Sequence, residues 1–569
     1  MGNSKIMANQ TDTTEKTLPA VRRRPNRDKF WGRGEHMVWI AGGTLAAILL
    51  GAFILLFVVF ANGLAYFWPS RLEEIHLSDG SRLLGRRVAS LGEGRRDTDF
   101  PFRTANKGFD PKTEAVRQIK AKDVLAVTYP PDTLVVERLE NSEFYGTFVD
   151  LEAPDLDVPA ATNPLQRFQA ALRASDQRRA AELDPLLAKI SAISDRRENI
   201  QNAQLKLQHA KESAANADRL GTLDTAIDQL QGQLQEIDAE NKQHVVERLD
   251  LESRLKKNVA LLRDSQGNVR RVALVDIVRV YQPNEMGIFS RLGHYFTKVW
   301  ELLSTPPRES NTEGGVLPAL FGTVALIFLM AICSFPLGVL AGVYLGEYAQ
   351  DGALVRLVRI GVNNLAGIPS IVYGIFGVGF FINYLGVKLD QVFFAYHLSK
   401  GPVFGTGGVL WAALTLGLLT VPVVIVATEE AIRVIPRSVR ESSYALGATK
   451  FQTLMRVILP SASPGILTGF ILAMARAAGE VAPLMLTGVV NSAATLPMDG
   501  RFPYIHLERQ FMHLGYQLYS VAFQSPDAEA ARPLVYVIAL LLVLIVLVLS
   551  GLAIILRNRM RKTLQIRTI

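Results

Sequence analysis

The chain has 569 residues, of which 49% are hydrophobic, and a formal net charge of +8 at pH 7. Its apolar residues are concentrated near residues 37–67 and again from about residue 315 onward, with a long polar stretch between them. This distribution excludes an ordinary soluble enzyme and indicates a membrane protein with one large water-soluble insertion. The chain has one cysteine, Cys333, so no disulfide bond can form within it.

Six segments are long and apolar enough to cross a bilayer, which needs about 20 such residues in a helix. The first segment is too long for the core of a cleaved signal peptide, which has about 7–15 apolar residues, and is interpreted as an uncleaved anchor. The predicted spans are 37–68, 315–346, 363–385, 407–427, 465–490 and 534–556.

Basic residues cluster at four places: before residue 34, near 356–359, between 433 and 456, and after 557. The positive-inside rule places such clusters in the cytoplasm, and with six spans all four fall on that side. Because the basic charge flanks the spans, we expect no nucleic-acid binding. The predicted order is a cytoplasmic tail at 1–36, the first span at 37–68, a periplasmic insertion at 69–305, a five-span core at 315–556 and a cytoplasmic tail at 557–569.

A short motif follows the fourth span. An acidic residue is followed six positions later by a glycine, and an apolar-x-Leu-Pro sequence ends the segment 441–460. The segment resembles the EAA loop of ABC-importer permeases, although serines stand at 442 and 443 where alanines are usual and valine at 457 where isoleucine is usual. The positions that carry this resemblance or adjoin its glycine are Glu441, Ala445, Leu446, Gly447, Leu459 and Pro460.

The residues of this loop suit a docking role. Gly447 can turn the backbone between two short helices, and Pro460 is predicted to begin the next span, where its missing N–H costs little. Leu446, Leu454, Ile458 and Leu459 are expected to pack into a groove of a partner. The resemblance implies a type I ABC-importer permease fold. No G-x-x-x-x-G-K-[ST] loop occurs in the chain, so we expect a separate ATPase dimer to use ATP and Mg, and no catalytic residue, cofactor or metal here.

Two further stretches indicate which group of ABC-importer permeases the chain resembles. Residues 367–374 read G-I-P-S-I-V-Y-G, and residues 476–484 read R-A-A-G-E-V-A-P-L. Both are similar to PstA-type permeases of phosphate importers, whereas the PstC-type partner usually lacks the Ala-Pro-Leu ending. The resemblance covers about residues 315–556. It implies a bacterial inner-membrane location, a PstC-type partner permease, a periplasmic phosphate-binding protein and phosphate as the substrate.

Arg476 and Glu480 are charged residues within the predicted fifth span. A charge costs roughly 2.5–3.5 kcal/mol at the centre of a span, so such residues normally face a pore or a partner. They are four positions apart and can pair, and a guanidinium can bind two phosphate oxygens at once. We predict a substrate pathway that contains Arg476, Glu480 and, from the 367–374 stretch, Ser370. The alternative is a permanent ion pair that locks two helices.

The insertion lies outside the resemblance. Segments 123–130 and 276–283 resemble each other, as do 81–88 and 142–149, which predicts two small related β modules, SH3-like, within 70–152 and 263–285. Apolar residues at helical spacing predict a coiled, antiparallel helical hairpin over 163–262 with its turn near 213–221. The predicted fold is therefore mainly α with an α+β insertion. We expect the hairpin to influence docking of the phosphate-binding protein, with a self-contained stalk as the alternative.

Two other functions stay open. Permeases for other oxyanions, such as sulfate or molybdate, share the EAA loop. An envelope scaffold or signalling protein would use the hairpin as its functional part and would have no ATPase partner. The eight histidines form no metal-ligand spacing of the H-E-x-x-H kind, which disfavours an enzyme.

Overall fold

The computed structural model describes residues 34–566 apart from 88–98, 107–108, 110–115, 159–162, 213–216, 309–310, 494, 501–503 and 526–527. Most of the predicted tail 1–36 and part of the predicted turn 213–221 lie outside the described residues. The chain divides into two compact units, residues 1–58 and 59–569. In its described part, the first unit consists mainly of helix α1 (Glu35–Ala65), which continues into the second unit.

Two five-stranded antiparallel sheets with the same topology follow α1. The strand order is β4-β3-β2-β1-β5 in the first sheet and β9-β8-β7-β6-β10 in the second. The strand order of the second sheet is that of the first with five added to each strand number. Both sheets therefore have the strand order of an SH3-like barrel. The strands are β1 (Glu73–Leu77), β2 (Arg82–Arg87), β3 (Phe100–Thr104), β4 (Val116–Ile119), β5 (Val124–Thr128), β6 (Leu134–Arg138), β7 (Glu143–Glu152), β8 (Val259–Arg263), β9 (Val269–Ala273) and β10 (Ile277–Tyr281).

The two sheets also share local features of the predicted repeat. A short 3₁₀ turn precedes the last strand of each, at Ala121–Asp123 and at Leu274–Asp276. Gly85 in β2 and Gly146 in β7 hold equivalent positions, since a Cβ atom at either would lie 2.3 or 2.2 Å from a carbonyl oxygen of the neighbouring strand. Strands β6 and β7 lie within 70–152 but belong to the second sheet, because they pair with β10 and β8, so the hairpin interrupts the second module.

A helical hairpin is inserted between β7 and β8. It contains α2 (Pro164–Arg178), a π-helical turn (Arg179–Leu183), α3 (Asp184–Glu212) and α4 (Ala217–Leu255). The hairpin therefore ends at residue 255, and not at 262 as predicted, because residues 259–263 form a strand.

The two arms of the hairpin run antiparallel. Arg197 pairs with Asp238 at 2.6 Å and Arg196 approaches Glu240 at 3.9 Å, so residue numbers fall along one arm as they rise along the other. The buried apolar side chains keep the predicted helical spacing along the seam between the arms. They are Leu183, Leu186, Ile193, Ile227 and Ile237.

A buried charge cluster joins the β modules to the segment that leads to the second span. That segment contains helix α5 (Ile288–Ser304) and a two-residue strand pair, β11 (Pro307–Arg308) with β12 (Glu313–Gly314). Burial opposes ionisation of Glu143, but Arg86 and Arg103 outweigh it and lower the pKa of this carboxyl to about 2. We call the set the junction cluster; its members are Glu137, Glu143, Glu301, Glu313, Arg86, Arg103, Arg279, Lys298 and Arg308.

Helices make up most of the remaining chain. Three π-helical turns, at Tyr344–Tyr348, Gly377–Gly386 and Leu454–Ile458, continue neighbouring α-helices. The helices are α6 (Leu317–Val343), α7 (Ala353–Leu365), α8 (Ser370–Phe376), α9 (Val387–Phe393), α10 (Val409–Arg433), α11 (Arg437–Ala445), α12 (Lys450–Thr453), α13 (Leu459–Gly479), α14 (Ala482–Thr487), α15 (Leu514–Phe523) and α16 (Ala528–Ile566).

Six helical segments among the described residues are long and apolar enough to cross a membrane, as predicted. The third begins at Ser370 and not at 363, because α7 ends just before the Gly-Ile-Pro sequence. The fifth ends at Gly479 and not at 490, since Pro483 has no N–H to continue the helix. The six are Glu35–Ala65, Leu317–Tyr348, Ser370–Phe393, Val409–Arg433, Lys450–Gly479 and Ala531–Met560.

Helix α10 lies at the centre of this helical core, and small residues let its neighbours approach closely. A Cβ atom at Gly338 of α6 would lie 2.6 Å from the Val424 side chain, and one at Gly469 of α13 would lie 2.3 Å from the Ala427 side chain. Such contacts are typical of helices that associate within a membrane.

We predict that Gly146→Ala destabilises the second β module by about 1–3 kcal/mol, because the new methyl group would overlap the carbonyl oxygen of Arg263. Pulse proteolysis of the full-length protein in detergent across a urea series measures this loss. The matched control is Gly232→Ala in α4, where a Cβ atom meets nothing within 4 Å. This control should be neutral or slightly stabilising, and equal effects of the two changes would contradict the assignment.

Candidate functional site

The segment predicted to be a docking loop forms a sharp elbow, defined here as residues 437–460. Helix α11 ends at Ala445, and Gly447 follows with φ +82°. A Cβ atom at Gly447 would meet nothing within 4 Å, so the backbone angle and not space requires glycine. Helix α12 then starts from Thr449, whose hydroxyl accepts a hydrogen bond from the Gln452 N–H at 3.2 Å, while the Gln452 side chain accepts one from Thr449 at 2.9 Å.

The elbow exposes apolar side chains. Leu446 is 89% exposed, and Phe451 and Met455 are exposed beside it; we call these three residues the elbow surface. The prediction for Leu454 and Ile458 was wrong: both are buried within the chain, in a cluster with Val343 and Ile432, because they lie on the inward face of the helix. Leu459 packs against the same cluster.

Pro460 is the second residue of α13, but α13 does not start a separate helical segment. The proline lies inside a continuous helical run, Lys450–Gly479, one residue after the start of α13. Because proline has no N–H and clashes with the carbonyl four residues earlier, the preceding turn widens into the π-helical turn Leu454–Ile458.

Arg440 fixes the base of the elbow to the ends of two spans. The Arg440 Nε donates to Glu347 Oε2 at 3.0 Å, and its two other nitrogens donate to the carbonyl oxygens of Ile432 and Ile435. The Glu347 side chain is only 9% exposed, so the pair is shielded from water. The elbow is thereby attached to the ends of α6 and α10 and cannot turn independently of them.

A second pair ties α7 to the same region. The Arg359 Nε donates to Glu429 Oε1 at 2.8 Å, and Nη1 donates to Asp351 at 2.9 Å. Arg433 also contacts Glu429 at 2.7 Å. The carboxylate of Glu429 therefore joins helix α7 to the end of α10.

Arg476 and Glu480 form an ion pair at the end of the fifth span. Arg476 Nε lies 3.6 Å from Glu480 Oε1, and both side chains are partly exposed. Glu480 is extended and follows the last helical residue, so the pair lies at a helix end and not within a helix as predicted. Neither side chain is sealed in the core of the chain.

Residues 367–374 and 476–484, the two stretches that are similar to PstA-type permeases, are in contact. A Cβ atom at Gly374 in α8 would lie 2.7 Å from the Cα of Pro483 in α14, so these short helices touch through their backbones. Ser370 is half-buried in the first turn of α8. Among the described residues, no hydrogen bond joins Ser370 to Arg476 or Glu480.

Comparisons with known proteins identify this core. Residues 334–562 match the family described as binding-protein-dependent transport system inner membrane component. The YqgI protein of Bacillus subtilis, a probable ABC transporter permease protein, is 32% identical over 238 residues, which are 41% of this chain and 74% of that protein. The phosphate transport system permease protein PstA of Yersinia pestis is 36% identical over 250 residues, which are 44% of this chain and 74% of that protein. The chain belongs to this permease family.

A third relative agrees. Phosphate transport system permease protein PstA 1 of Mycobacterium tuberculosis is 41% identical over 180 residues, which are 32% of this chain and 53% of that protein. These relatives confirm the predicted PstA-type resemblance. The permease is a multi-pass inner-membrane protein, and its described residues include six apolar helices. The family match contains the elbow and the Arg476–Glu480 pair, whereas the insertion 69–305 lies outside it.

The permease contains two anchoring acids that sequence reasoning missed. Glu347 and Glu429 pair with arginines whose charge was used only to orient the spans. Their partners lie 93 and 70 residues away in the chain, so spacing could not reveal the pairs. The available signal was the position of each carboxylate at the end of an apolar helix, where an unpaired charge is costly.

We predict that Arg440→Ala destabilises the permease by about 3–5 kcal/mol, because it leaves the Glu347 carboxylate buried without a partner. The double variant Arg440→Ala/Glu347→Gln should recover part of this loss. Far-UV circular dichroism during SDS titration of the purified full chain measures both.

The control for this pair is Arg254→Ala, which removes an exposed i,i+4 pair with Asp250 in the hairpin. Such pairs contribute about 0.3–0.5 kcal/mol. If Arg440→Ala cost no more than this control, Arg440 would not anchor the elbow.

Proposed function

We propose that this chain is the PstA-type permease subunit of an ATP-driven phosphate importer. It forms half of the translocation pathway with a PstC-type permease, and an ATPase dimer that uses ATP and Mg docks on the elbow. The observation that carries the proposal is the elbow itself. Its apolar surface faces away from the chain, while the Arg440–Glu347 pair ties its base to the spans. A force that the ATPase exerts on Leu446 is therefore transmitted to α6 and α10.

Phosphate is the proposed substrate on two grounds. The relatives from Yersinia pestis and Mycobacterium tuberculosis carry phosphate transport in their names. The partly exposed Arg476 offers a planar guanidinium that can bind two oxygens of a tetrahedral anion, with Glu480 as its partner when no anion is bound. A sulfate or molybdate importer would use the same elbow and differ only in the pathway.

The proposed topology places the insertion and a periplasmic phosphate-binding protein on the side opposite the elbow. Contacts between the insertion and loops of the core support this arrangement. The Lys400 Nζ lies 2.9 Å from Gln201 Oε1 of the hairpin, and the Lys206 Nζ lies 5.1 Å from the ring centre of Tyr396. The loop after the third span therefore lies on the same side as the hairpin. With the elbow in the cytoplasm, both termini are cytoplasmic.

Leu446→Asp should abolish co-purification of the ATPase subunit, because a carboxylate would replace the most exposed apolar side chain of the elbow surface. The matched control is Leu125→Asp, at a 72% exposed leucine in β5 of the insertion, which should leave co-purification unchanged.

Gly447→Val gives an independent test of the elbow, because a β-branched residue strains the turn at φ +82°, while a Cβ atom there meets no other atom of the chain within 4 Å. It should reduce phosphate uptake while the chain still inserts into the membrane. Full ATPase recovery with Leu446→Asp, together with normal uptake by Gly447→Val, would contradict the docking role.

Exchange of the charges, Arg476→Glu with Glu480→Arg, should abolish phosphate uptake into proteoliposomes while complex assembly survives. The exchanged pair keeps the ion pair but moves the guanidinium to the residue beyond the helix end. Arg476→Lys should also reduce uptake, since an ammonium group lacks the planar fork. Normal uptake by the exchanged variant would instead show that the pair is a structural lock.

A further inference from the structure

Helix α5 exposes apolar side chains, which is the reverse of what is expected of a helix on the surface of a water-soluble domain. Five large apolar side chains lie along its outer surface, and Phe289 and Trp300 are 86% and 71% exposed. Within Ile288–Ser304, all of which the structure describes, no exposed side chain is charged. We call this outer face the α5 stripe; it consists of Ile288, Phe289, Leu292, Phe296 and Trp300.

Two charged side chains of α5, Lys298 and Glu301, point inward, and the third, Arg291, is half-buried and donates to the Pro283 carbonyl at 3.2 Å. Lys298 pairs with Glu137 of β6 at 2.6 Å. Glu301 pairs with Arg308 at 2.6 Å and with Arg279 of β10 at 3.1 Å. These ion pairs of the junction cluster fix the rotation of the helix about its axis. The α5 stripe therefore cannot turn inward, because that would leave the buried charges without partners.

Helix α5 also lies directly at the end of a membrane span. The Val316 N–H donates to the Leu302 carbonyl at 2.7 Å, and the Leu317 N–H donates to the Thr305 carbonyl at 3.2 Å. The first residue of α6 is thus hydrogen-bonded to the chain just after α5. Tyr295 of α5 packs against Phe67, just after the end of α1, with ring centres 5.7 Å apart.

The inner apolar residues of α5 continue the packing of the spans. Leu302 shares one buried cluster with Ala319 of α6 and Leu534 of α16. The helix is therefore level with the ends of three spans, where a bilayer changes from hydrocarbon to headgroups.

We propose that α5 is an interfacial helix whose stripe is buried in the lipid surface on the insertion side of the membrane. Tryptophan and phenylalanine favour this boundary, and lipid contact removes from water an apolar face that the chain itself leaves uncovered. In this arrangement α5 holds the β modules against the membrane through the junction cluster. A lipid surface fits better than water because the outer face carries no charge.

Site-directed spin labelling of the full-length protein in lipid nanodiscs tests this proposal. On a Cys333→Ser background, F296C and W300C each receive a nitroxide, and accessibility to oxygen and to a water-soluble nickel chelate is measured. Q235C in the hairpin is the aqueous reference, and L547C in the sixth span is the lipid reference, because Leu547 is 63% exposed in an apolar segment.

The proposal expects labels at 296 and 300 to be accessible to oxygen and protected from the nickel chelate, as at 547. Values like those at 235 would show that the stripe faces water. Protection from both reagents would show that another protein subunit covers it. Either result overturns the proposal, and F289C provides the same measurement if a variant does not assemble.

Discussion

The arrangement of this permease depends on carboxylates that are paired with arginine or lysine where the spans meet water. Glu347 and Glu429 do this on the elbow side, and Glu137 and Glu301 do it on the insertion side. At both boundaries, a paired charge fixes the direction of a short helix. Since a buried charge without a partner costs several kcal/mol, these helices cannot rotate. Their apolar faces, the elbow surface and the α5 stripe, therefore stay directed away from the chain.

The hairpin is attached at a site that tolerates a long insertion. Strands β7 and β8 pair directly, with Glu152 opposite Val259, so the chain leaves and re-enters the sheet at adjacent positions. The first helix of the hairpin, α2, also packs on the module, because Phe168, Ala171 and Leu172 are buried in one cluster with Phe144 and Leu262. The equivalent strands of the first module, β2 and β3, also pair directly, with Arg87 opposite Phe102, across a much shorter stretch of sequence. The paired strands that both modules share are therefore the part of the insertion from which the hairpin extends.

Much of this architecture could be predicted from local sequence patterns. The apolar runs predicted six spans, and similar segments at 123–130 and 276–283 predicted the repeated modules. Turns and pairings that depend on distant residues could not be predicted. The inward position of Leu454 and Ile458 depends on contacts with Val343 and Ile432. The helical spacing of α5 alone does not reveal which of its faces the rest of the chain covers. The extent of the fifth span depended on how Pro460 was accommodated, by a π-helical turn inside the helix.

The loop after the third span connects the hairpin to the core through a rigid support. The buried Asp390 carboxylate accepts hydrogen bonds from the N–H groups of Val403, Phe404 and Gly405 at 3.0, 2.8 and 2.7 Å. Trp411 of α10 donates to the Phe404 carbonyl at 2.7 Å. Because the loop is fixed to both adjoining spans, its contact with the hairpin is a second attachment, besides the β7–β8 base. The hairpin therefore contacts the helical core as well as the β module from which it extends.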